Sequence, residues 1–432
     1  MSLSKTSLST ALCTLLLCAT SMTAQNNNVN VVNIVNTGQT PTLIVPDTDN
    51  NRVLIYNYPF TTNKAASTVL GQSSFTTATS GTTPQTMYWP SSVATDSSGN
   101  IFVSDNSNCR VTQFLAPFTN GEAAVLAIGK PDLYTGCTFN APTQNNVGQT
   151  SGVATDLFGN LWVADAQNNR VLRFSRPFYS GMPANLVLGQ SNFTSGLCNR
   201  NSVSGTAPTA ATLCAPAGVA VDYSGNLWVA DSTNHRVLEF RPPFTTGMNA
   251  SVEFGHPAAT AFTSNFSNDD GPSAKSLNSP TGIGTDIFGR VWVADTMNNR
   301  VLRFDPPYQN GKSASLVLGQ PDFIQTYQNI TNASTMTRPE GIALNLLGVG
   351  GVFVGDTGNN RTLLFAGTSN GQAASVVIGQ TDFAQFSPNK GNSNPDATTQ
   401  FEPFHTAGPS LLALGVLGGL AGIRRIAQRK KK

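Results

Sequence analysis

The chain has 432 residues, enough for several ordinary domains or for one large repeat fold. Charged residues make up only 11% of it, a composition that favours an all-β extracellular protein over a helical cytosolic one. The net charge of +2 is misleading, because six of the 25 basic residues lie in the last nine positions and a seventh is Lys5. Without these seven, 18 basic residues face 23 acidic ones, which argues against a nucleic-acid-binding protein.

Residues 1–24 have the features of a secretory signal peptide. Lys5 gives a basic start, residues 11–19 are apolar, and residues 22–24 form a cleavage site before Gln25. A short buried helix and a lipoprotein signal at Cys18 are alternative interpretations. We favour the signal peptide and therefore expect an exported protein, in the cell envelope or outside the cell.

One pattern, clearest at residues 160–174, recurs six times at intervals of about sixty residues. It predicts a strand, a polar turn and a second strand. Its constant feature is an Asp followed five residues later by an Arg. The six pairs are Asp47/Arg52, Asp105/Arg110, Asp165/Arg170, Asp231/Arg236, Asp295/Arg300 and Asp356/Arg361.

Each repeat unit predicts four short strands. In the third unit these are residues 152–156, 161–164, 170–174 and 185–190, separated by turns rich in Gly, Asn and Asp. Six such units predict an all-β fold, a six-bladed β-propeller of four-stranded antiparallel blades. The inner strand of the first blade comes either from residues 29–35 or from the chain after Asp382.

The packing of the blades can also be anticipated. The first strand of each unit carries small residues, which suit the crowded axis of a propeller. The second strand carries large side chains that we expect to pack between blades. The clearest are Trp162, Trp228 and Trp292.

The repeated motifs Gly-Val-Ala-x-Asp, Gly-Asn-Leu-Trp-Val-Ala-Asp and Asn-Asn-Arg-Val-Leu-x-Phe resemble those of NHL-repeat β-propellers, over residues 29–383. Proteins similar in this way include binding scaffolds, RNA-binding domains, and lyases or lactonases. The related lyases are expected to hold a metal through histidines at the channel. The predicted inner strands here contain no histidine, so the resemblance does not carry a catalytic site over to this chain.

Four aspartates end the predicted inner strands, and Asn345 takes the fifth position. A carboxylate ring at the mouth of the axial channel could hold Ca²⁺, which prefers several oxygen ligands. Each aspartate is also followed three residues later by Gly, which is typical of a capped turn, and we favour that interpretation. The four candidates are Asp96, Asp156, Asp222 and Asp286.

A meander places all six Asp-to-Arg loops on one face, together with the long segments that join one blade to the next. We call these segments connectors and this side the connector face. Long variable loops on a rigid frame are where binding usually resides, so we expect a protein or glycan ligand here. The six Asp/Arg pairs themselves are expected to be structural; the alternative is that one or more contact a ligand.

Four cysteines follow the signal peptide, which permits two disulfides in an exported chain. Three connectivities are open. We favour the two local pairings, Cys109 with Cys137 and Cys198 with Cys214.

The C-terminal part predicts a linker over residues 384–408, then a short apolar helix with a basic end over residues 409–432. This tail resembles the PEP-CTERM sorting signals of bacterial envelope proteins. The Pro-Glu-Pro hallmark is not intact, since only Glu402-Pro403 and Gly408-Pro409 stand nearby. The alternative is a plain membrane anchor, again with the propeller outside.

The sequence therefore favours an exported binding scaffold with no catalytic residues and no resident cofactor. No nucleophile elbow, phosphate loop or metalloprotease motif is present in it. The alternative function is a metal-dependent enzyme of the lactonase or lyase type, with its metal at the axial aspartates.

Overall fold

The computed structural model describes residues 33–35, 41–201, 206–328, 330–344, 351–367 and 369–402. Within them the chain forms six four-stranded antiparallel sheets, and each sheet is one contiguous stretch of chain. The prediction of a six-bladed β-propeller is confirmed. The predicted signal peptide, the apolar tail and Asn345 lie outside the described residues.

The strands follow in chain order. The first three blades contain β1 (Asn33–Val35), β2 (Thr42–Asp47), β3 (Arg52–Asn57), β4 (Thr68–Leu70), β5 (Pro90–Thr95), β6 (Ile101–Asp105), β7 (Arg110–Phe114), β8 (Leu126–Ile128), β9 (Val153–Thr155), β10 (Leu161–Asp165), β11 (Arg170–Phe174) and β12 (Leu186–Leu188). The last three contain β13 (Pro216–Val221), β14 (Leu227–Asp231), β15 (Arg236–Phe240), β16 (Val252–Phe254), β17 (Pro280–Thr285), β18 (Val291–Asp295), β19 (Arg300–Phe304), β20 (Leu316–Leu318), β21 (Pro339–Leu344), β22 (Val352–Asp356), β23 (Arg361–Phe365) and β24 (Val376–Ile378).

The helical segments among the described residues are all short 3₁₀ turns. Six of them join the second and third strands of a blade, and two lie in connectors. They are Thr48–Asn50, Asn106–Asn108, Ala166–Asn168, Ser232–Asn234, Thr296–Asn298 and Thr357–Asn359 in the hairpins, and Cys198–Arg200 and Pro388–Gly391 in the connectors. In the described part of the chain, none of these segments has the length and apolar character needed to cross a bilayer.

The first blade takes its inner strand from the N-terminal side. In β1, Asn33 pairs with Ile44 of β2 and Val35 pairs with Thr42. The same strand lies beside β5 on one side and β21 on the other, so the six inner strands form a closed ring. Of the two origins that the sequence left open, the structure therefore has the one before β2.

Residues 384–402 contact the first blade and so help to close the ring. Their composition predicts part of a linker. The backbone N–H groups of Thr48 and Asp49 donate to the carbonyl oxygens of Glu402 and Phe401 at 3.1 and 3.3 Å. The N–H of Ala66 donates to Ala397 O at 2.7 Å. These bonds make the segment the connector of the first blade, although it lies more than 300 residues away in the chain.

The core is divided into six apolar clusters, one at each interface between neighbouring blades. The tryptophans of the second strands lie in these interfaces, as their bulk predicts. Trp162 packs edge-on against Phe244 of the next blade with a centroid distance of 4.9 Å, and Trp228 packs against Tyr308 at 5.0 Å. Both indole rings are fully buried, which makes these interfaces a major source of stability.

Candidate functional site

The Asp-to-Arg loop has the same form in every blade, shown here for the third. Asp165 ends β10, the 3₁₀ turn Ala166–Asn168 follows, and Asn169 adopts a left-handed conformation with φ 53° before Arg170 opens β11. Asparagine tolerates this conformation better than most residues. Asp165 and Arg170 are therefore directly opposite each other in the hairpin.

The structure brings together the two members of all six pairs. The Arg Nε lies 2.6 to 2.8 Å from an Asp oxygen in each blade, and every one of these side chains is fully buried. Complete burial raises the pKa of the Asp231 carboxyl, and the neighbouring Arg236 guanidinium opposes that rise. A buried pair of this kind is sustained only if further hydrogen bonds satisfy the remaining atoms.

Those further bonds come from the connectors. The Arg170 Nη2 donates to the carbonyl oxygens of Thr143 and Asn146 at 3.1 and 2.9 Å, both in the preceding connector. Its Nη1 donates to Phe193 O, in the following connector. The Asp165 Oδ1 accepts the N–H of Gly148 at 2.9 Å. The pair therefore fastens two connectors to one blade, which is a structural role.

The residue with the left-handed conformation in each loop also holds a connector. The Oδ1 of Asn169 accepts the N–H of Ala215, at the end of the connector that leads to the fourth blade, at 2.8 Å. Asn51, Asn299 and Asn360 make the corresponding bond. In the fourth blade His235 replaces Asn, and its Nδ1 accepts the N–H of Ser279 at 2.9 Å.

The structure contains both of the local disulfides that we favoured. Cys109 is bonded to Cys137 and Cys198 to Cys214. Cys109 occupies the left-handed position of its loop, with φ 53°. Its disulfide therefore joins loop and connector covalently, where four other blades use an asparagine hydrogen bond and the fourth blade uses His235.

The glutamine of the repeated Leu-Gly-Gln motif also belongs to this network. The Nε2 of Gln72 donates to the carbonyl oxygens of Asn51 and Thr79 at 2.9 and 2.8 Å, and its Oε1 accepts the N–H of Thr79. Gln190, Gln320 and Gln380 use Nε2 in the same way.

The fourth blade departs most from the repeat. His256 stands where the glutamine is expected, and its Nδ1 lies 2.6 Å from Glu253 Oε1. The Oε2 of Glu253 lies 3.2 Å from the Nη1 of Arg236. In the other blades the equivalent arginine Nη1 donates to a connector carbonyl, as Arg170 does to Phe193. All three side chains are fully buried, so this cluster supports the connector and is not open to a ligand.

The inner-strand aspartates are bound into their own turns. The Oδ1 of Asp156 accepts the N–H groups of Phe158 and Asn160 at 2.9 Å. Its Oδ2 accepts the Asn160 side chain at 2.8 Å and the Trp162 indole N–H at 3.1 Å. Asp222 repeats all four contacts, Asp286 repeats them with the Arg290 Nε in place of the asparagine amide, and Asp96 repeats the first three.

These carboxylates do not fit a Ca²⁺ site. Their oxygens already accept from turn donors, and a cation would have to displace those donors. Over the ranges that the structure covers, no group of three or more His, Cys, Asp or Glu is placed to hold a metal ion. Asn345 lies outside the described residues.

The connector face carries an open cavity of about 460 Å³ beside the third blade. This volume lies within the range of small-molecule sites, about 300–1,000 Å³. Its lining residues are Pro142, Asn168, Gln190, Ser191, Thr194, Ser195, Gly196, Leu197 and Arg200.

The connectors also present large apolar side chains to solvent. Ile330 is 87% exposed, and Tyr134, Phe139, Phe266, Ile324 and Tyr327 are each about 70% exposed. The opposite side, which we call the turn face, has its own exposed aromatic residues in Phe158 and Phe288. Apolar exposure alone therefore does not single out one face, whereas the cavity and the variable connectors belong to the connector face.

Two segments of the chain, residues 87–114 and 213–240, match the family model of the NHL repeat. Each covers the central hairpin of a blade, in the second and the fourth. Two blades of the six-bladed β-propeller therefore match the NHL repeat. A comparison with curated proteins gives no match.

Several solved structures share the arrangement at low identity. Virginiamycin B lyase from Staphylococcus aureus is 13% identical, with 79% of this chain and 82% of that chain covered and a TM-score of 0.43. A nidogen/laminin complex is 14% identical, with 78% and 97% covered and a TM-score of 0.45. An auxiliary nutrient binding protein from Bacteroides thetaiotaomicron is 12% identical, with 77% and 67% covered and a TM-score of 0.46.

Proposed function

We propose that this chain is an exported cell-envelope scaffold that binds a protein or glycan through its connector face. The observation that carries the proposal is the contrast between the buried Asp/Arg pairs and the exposed connectors that they hold. The charged pair of each loop is buried and holds connectors, whereas the connectors expose variable apolar and polar side chains, and a cavity of about 460 Å³ lies on their face beside the third blade. A rigid frame that presents variable loops is suited to binding.

The position of the C-terminal segment bears on how such a scaffold would be oriented. Glu402, the last described residue, lies on the connector face beside Thr48. Six residues then separate it from the apolar segment 409–423, and six extended residues reach at most about 20 Å. If that segment anchors the protein, the connector face lies close to the anchoring membrane, so its ligand would be a component of the envelope.

The binding proposal is tested by titrating the full chain with envelope polysaccharides and their oligosaccharides, and with purified envelope proteins. A ligand of the connector face should lose affinity when Tyr327 and Ile330 are both replaced by Ser, by tenfold or more, which corresponds to about 1.4 kcal/mol. The matched control replaces Phe158 and Phe288 on the turn face by Ser and should change the affinity less than about twofold. Loss of affinity in the turn-face variant alone would refute the proposal.

The enzyme alternative makes a different prediction about metal. A catalytic metal at the axial aspartates would stabilise the fold on binding, so a chelator would lower the melting temperature of the purified full chain. We expect no change, because turn donors already occupy those carboxylates. A melting temperature that falls on chelation and recovers with added Ca²⁺ would restore the enzyme hypothesis.

A further inference from the structure

The glutamine of the Leu-Gly-Gln motif holds the start of the following connector against the Asp-to-Arg loop in four blades. In the third blade the Nε2 of Gln190 donates to the carbonyl oxygens of Asn169, the left-handed residue of the loop, and of Leu197, seven positions after the glutamine. The Nδ2 of Asn169 donates to Gly196 O at 2.8 Å. Two amide side chains therefore hold the first residues of this connector.

The second blade has neither amide. Lys130 stands in place of the glutamine, and Cys109 stands in place of the left-handed asparagine. The residue seven positions after Lys130 is Cys137, which is bonded to Cys109. The disulfide therefore joins the two positions that a glutamine amide bridges in four other blades.

Residues 134–141, which lie around and after Cys137 in the connector, depend on this disulfide for their position. Among the described residues, their hydrogen bonds stay within the connector. The chain is held on both sides of this stretch. Leu133 O accepts from Arg110, and Thr143 O accepts from Arg170. Opening the disulfide would therefore release the stretch while its two ends stay attached.

The disulfide between Cys198 and Cys214 differs in this respect. Its connector is the one that Gln190 and Asn169 hold through carbonyl oxygens. The Oδ1 of Asn169 also accepts the N–H of Ala215, next to Cys214. These hydrogen bonds do not depend on the disulfide, so its opening would leave the connector in place.

A buried lysine accompanies the disulfide of the second blade. Lys130 is only 4% exposed, and its Nζ makes no hydrogen bond or ion pair among the described residues. Burial lowers the pKa of Lys130, and the Asp165 carboxylate opposes that change. The glutamine at this position in other blades reaches the residues equivalent to Cys109 and Cys137. A thiolate formed there would give the buried ammonium a partner, and a neighbouring lysine favours the thiolate of a cysteine.

We propose that the disulfide between Cys109 and Cys137 is a redox-sensitive switch, which a dithiol reductant opens before the other disulfide and which then releases residues 134–141. The attacked atom is Cys137 Sγ, because Cys137 is partly exposed and Cys109 is fully buried. A thiolate of the dithiol bonds to this sulfur, the original disulfide bond breaks, and Cys109 leaves as a thiolate beside Lys130.

The second thiol of the reductant completes the reaction. It attacks the mixed disulfide, so the reductant becomes an internal disulfide and Cys137 is released. Two electrons pass from the reductant to the protein. Of the two thiol protons, one goes to Cys137 and the other to solvent.

The released stretch belongs to the connector face. It carries the exposed side chains of Tyr134 and Phe139 and precedes Pro142, which lines the cavity beside the third blade. Reduction therefore changes the surface beside that cavity. The inference goes beyond the proposed binding role, because opening and release are measured on the free protein without a ligand, so the two proposals fail independently.

The first experiment equilibrates the full chain with reduced and oxidised dithiothreitol, and differential alkylation with mass spectrometry measures each cysteine pair separately. The Cys109/Cys137 pair should be half reduced at a ratio of reduced to oxidised reagent at least about tenfold lower than the Cys198/Cys214 pair requires. Lys130→Met should raise the ratio for the first pair by about fivefold or more, because the thiolate loses its cation. The matched control, Lys312→Met in the turn between β19 and β20, should change it less than about twofold.

The second experiment measures release with a protease that cleaves after aromatic residues. Reduction of the first pair should accelerate cleavage after Tyr134 and Phe139 by about tenfold or more, because the freed stretch adapts to the protease. Cleavage after Phe266, exposed in the fourth connector, is the control and should change less than about twofold. Lys130→Gln should suppress the acceleration, because the glutamine restores the bridge that four other blades have.

Three results would overturn the inference. The first is reduction of both pairs at the same ratio, or of Cys198/Cys214 first. The second is cleavage after Tyr134 and Phe139 that reduction leaves unchanged. The third is a Lys130→Met chain that is reduced as readily as the parent. If Lys130→Met does not fold, the same titration of Lys130→Gln decides, since this variant also removes the charge.

Discussion

At the scale of single residues, the departures from the repeat are more informative than the repeat itself. Asparagine occupies the left-handed position of four Asp-to-Arg loops, and His235 takes it in the fourth blade. Burial, and to a lesser extent the nearby His256, lowers the pKa of His235 to about 4. Its Nδ1 must stay unprotonated because it accepts the N–H of Ser279.

The folded-state pKa of His235 lies below its ordinary value of 6.5, so protonation favours the unfolded chain. Its contribution to stability is complete above pH 6.5 and is lost as the pH falls toward 4. We compare the free energy of unfolding of His235→Asn with that of the parent at two pH values. Lowering the pH from 7.5 to 4.5 should shift this difference by about 2–3 kcal/mol in favour of the variant. Asn preserves the acceptor without the titration, as in the other blades. Urea unfolding at the two pH values measures this, and a pH-independent difference would contradict it.

Individual residues also differ in whether their roles can be predicted from the sequence. The six Asp/Arg pairs could be found because their spacing of five residues is fixed by a local hairpin. The asparagines that end the 3₁₀ turns, such as Asn234 and Asn298, are equally apparent in the sequence as a repeated residue. Their connector partners, such as Asn199 and Asn268, could not be found, because connectors vary in length and the contacts depend on how the connector folds. The cavity beside the third blade could not be predicted for the same reason, because connector residues form most of its lining.

At the scale of the structural element, the connectors are held in defined positions by three kinds of contact. The buried Asp/Arg pair, the left-handed asparagine and the glutamine after Leu-Gly each bind connector backbone. Two connectors have a disulfide in addition. A binding surface made of loops needs such restraints, because ordering loops on binding costs affinity.

The disulfide between Cys198 and Cys214 closes a connector that borders the cavity. We expect replacement of both cysteines by Ser to lower the free energy of unfolding by about 2–4 kcal/mol. We also expect weaker ligand binding at the cavity, because Leu197 and Arg200 flank Cys198. The same double replacement at Cys109 and Cys137 is the matched control, which should lower stability comparably but weaken cavity binding less, because its connector supplies only Pro142 to the cavity. Equal effects of both double variants on binding would show that the cavity is not specifically restrained.

At the scale of the whole molecule, residues 384–402 close the ring through side-chain and backbone contacts, and no strand is exchanged between the two ends within the described residues. The Arg52 Nη2 donates to the carbonyls of Asp396 and Thr399 at 3.0 and 3.1 Å, and Asp47 accepts the N–H of Phe401 at 2.7 Å. Composition alone predicted a linker there, since Pro, Gly and Asn are common in linkers and in ordered turns alike. Only the distant partners of the segment distinguish the two.

A chain that ends after Phe386 should therefore lose stability strongly, whereas one that ends after Glu402 should keep it. The shorter chain removes the partners that Asp396, Thr399 and Phe401 supply to the buried Asp47/Arg52 pair, and each unmet buried group costs about 1–3 kcal/mol. Thermal unfolding of the two chains, compared with the full chain, measures the effect. If the shorter chain melts within a few degrees of the longer one, residues 387–402 do not close the ring.

The central claim is that ligands bind on the connector face of a frame whose charged pairs are structural. Hydrogen–deuterium exchange of the full chain, with and without the tightest ligand found by titration, tests this most directly. The prediction is added protection in the connectors, above all in residues 190–201 beside the cavity, with unchanged exchange in the turns that follow Asp156, Asp222 and Asp286. Protection in those turns, with unchanged exchange in the connectors, would contradict the claim and place the site at the other mouth of the channel.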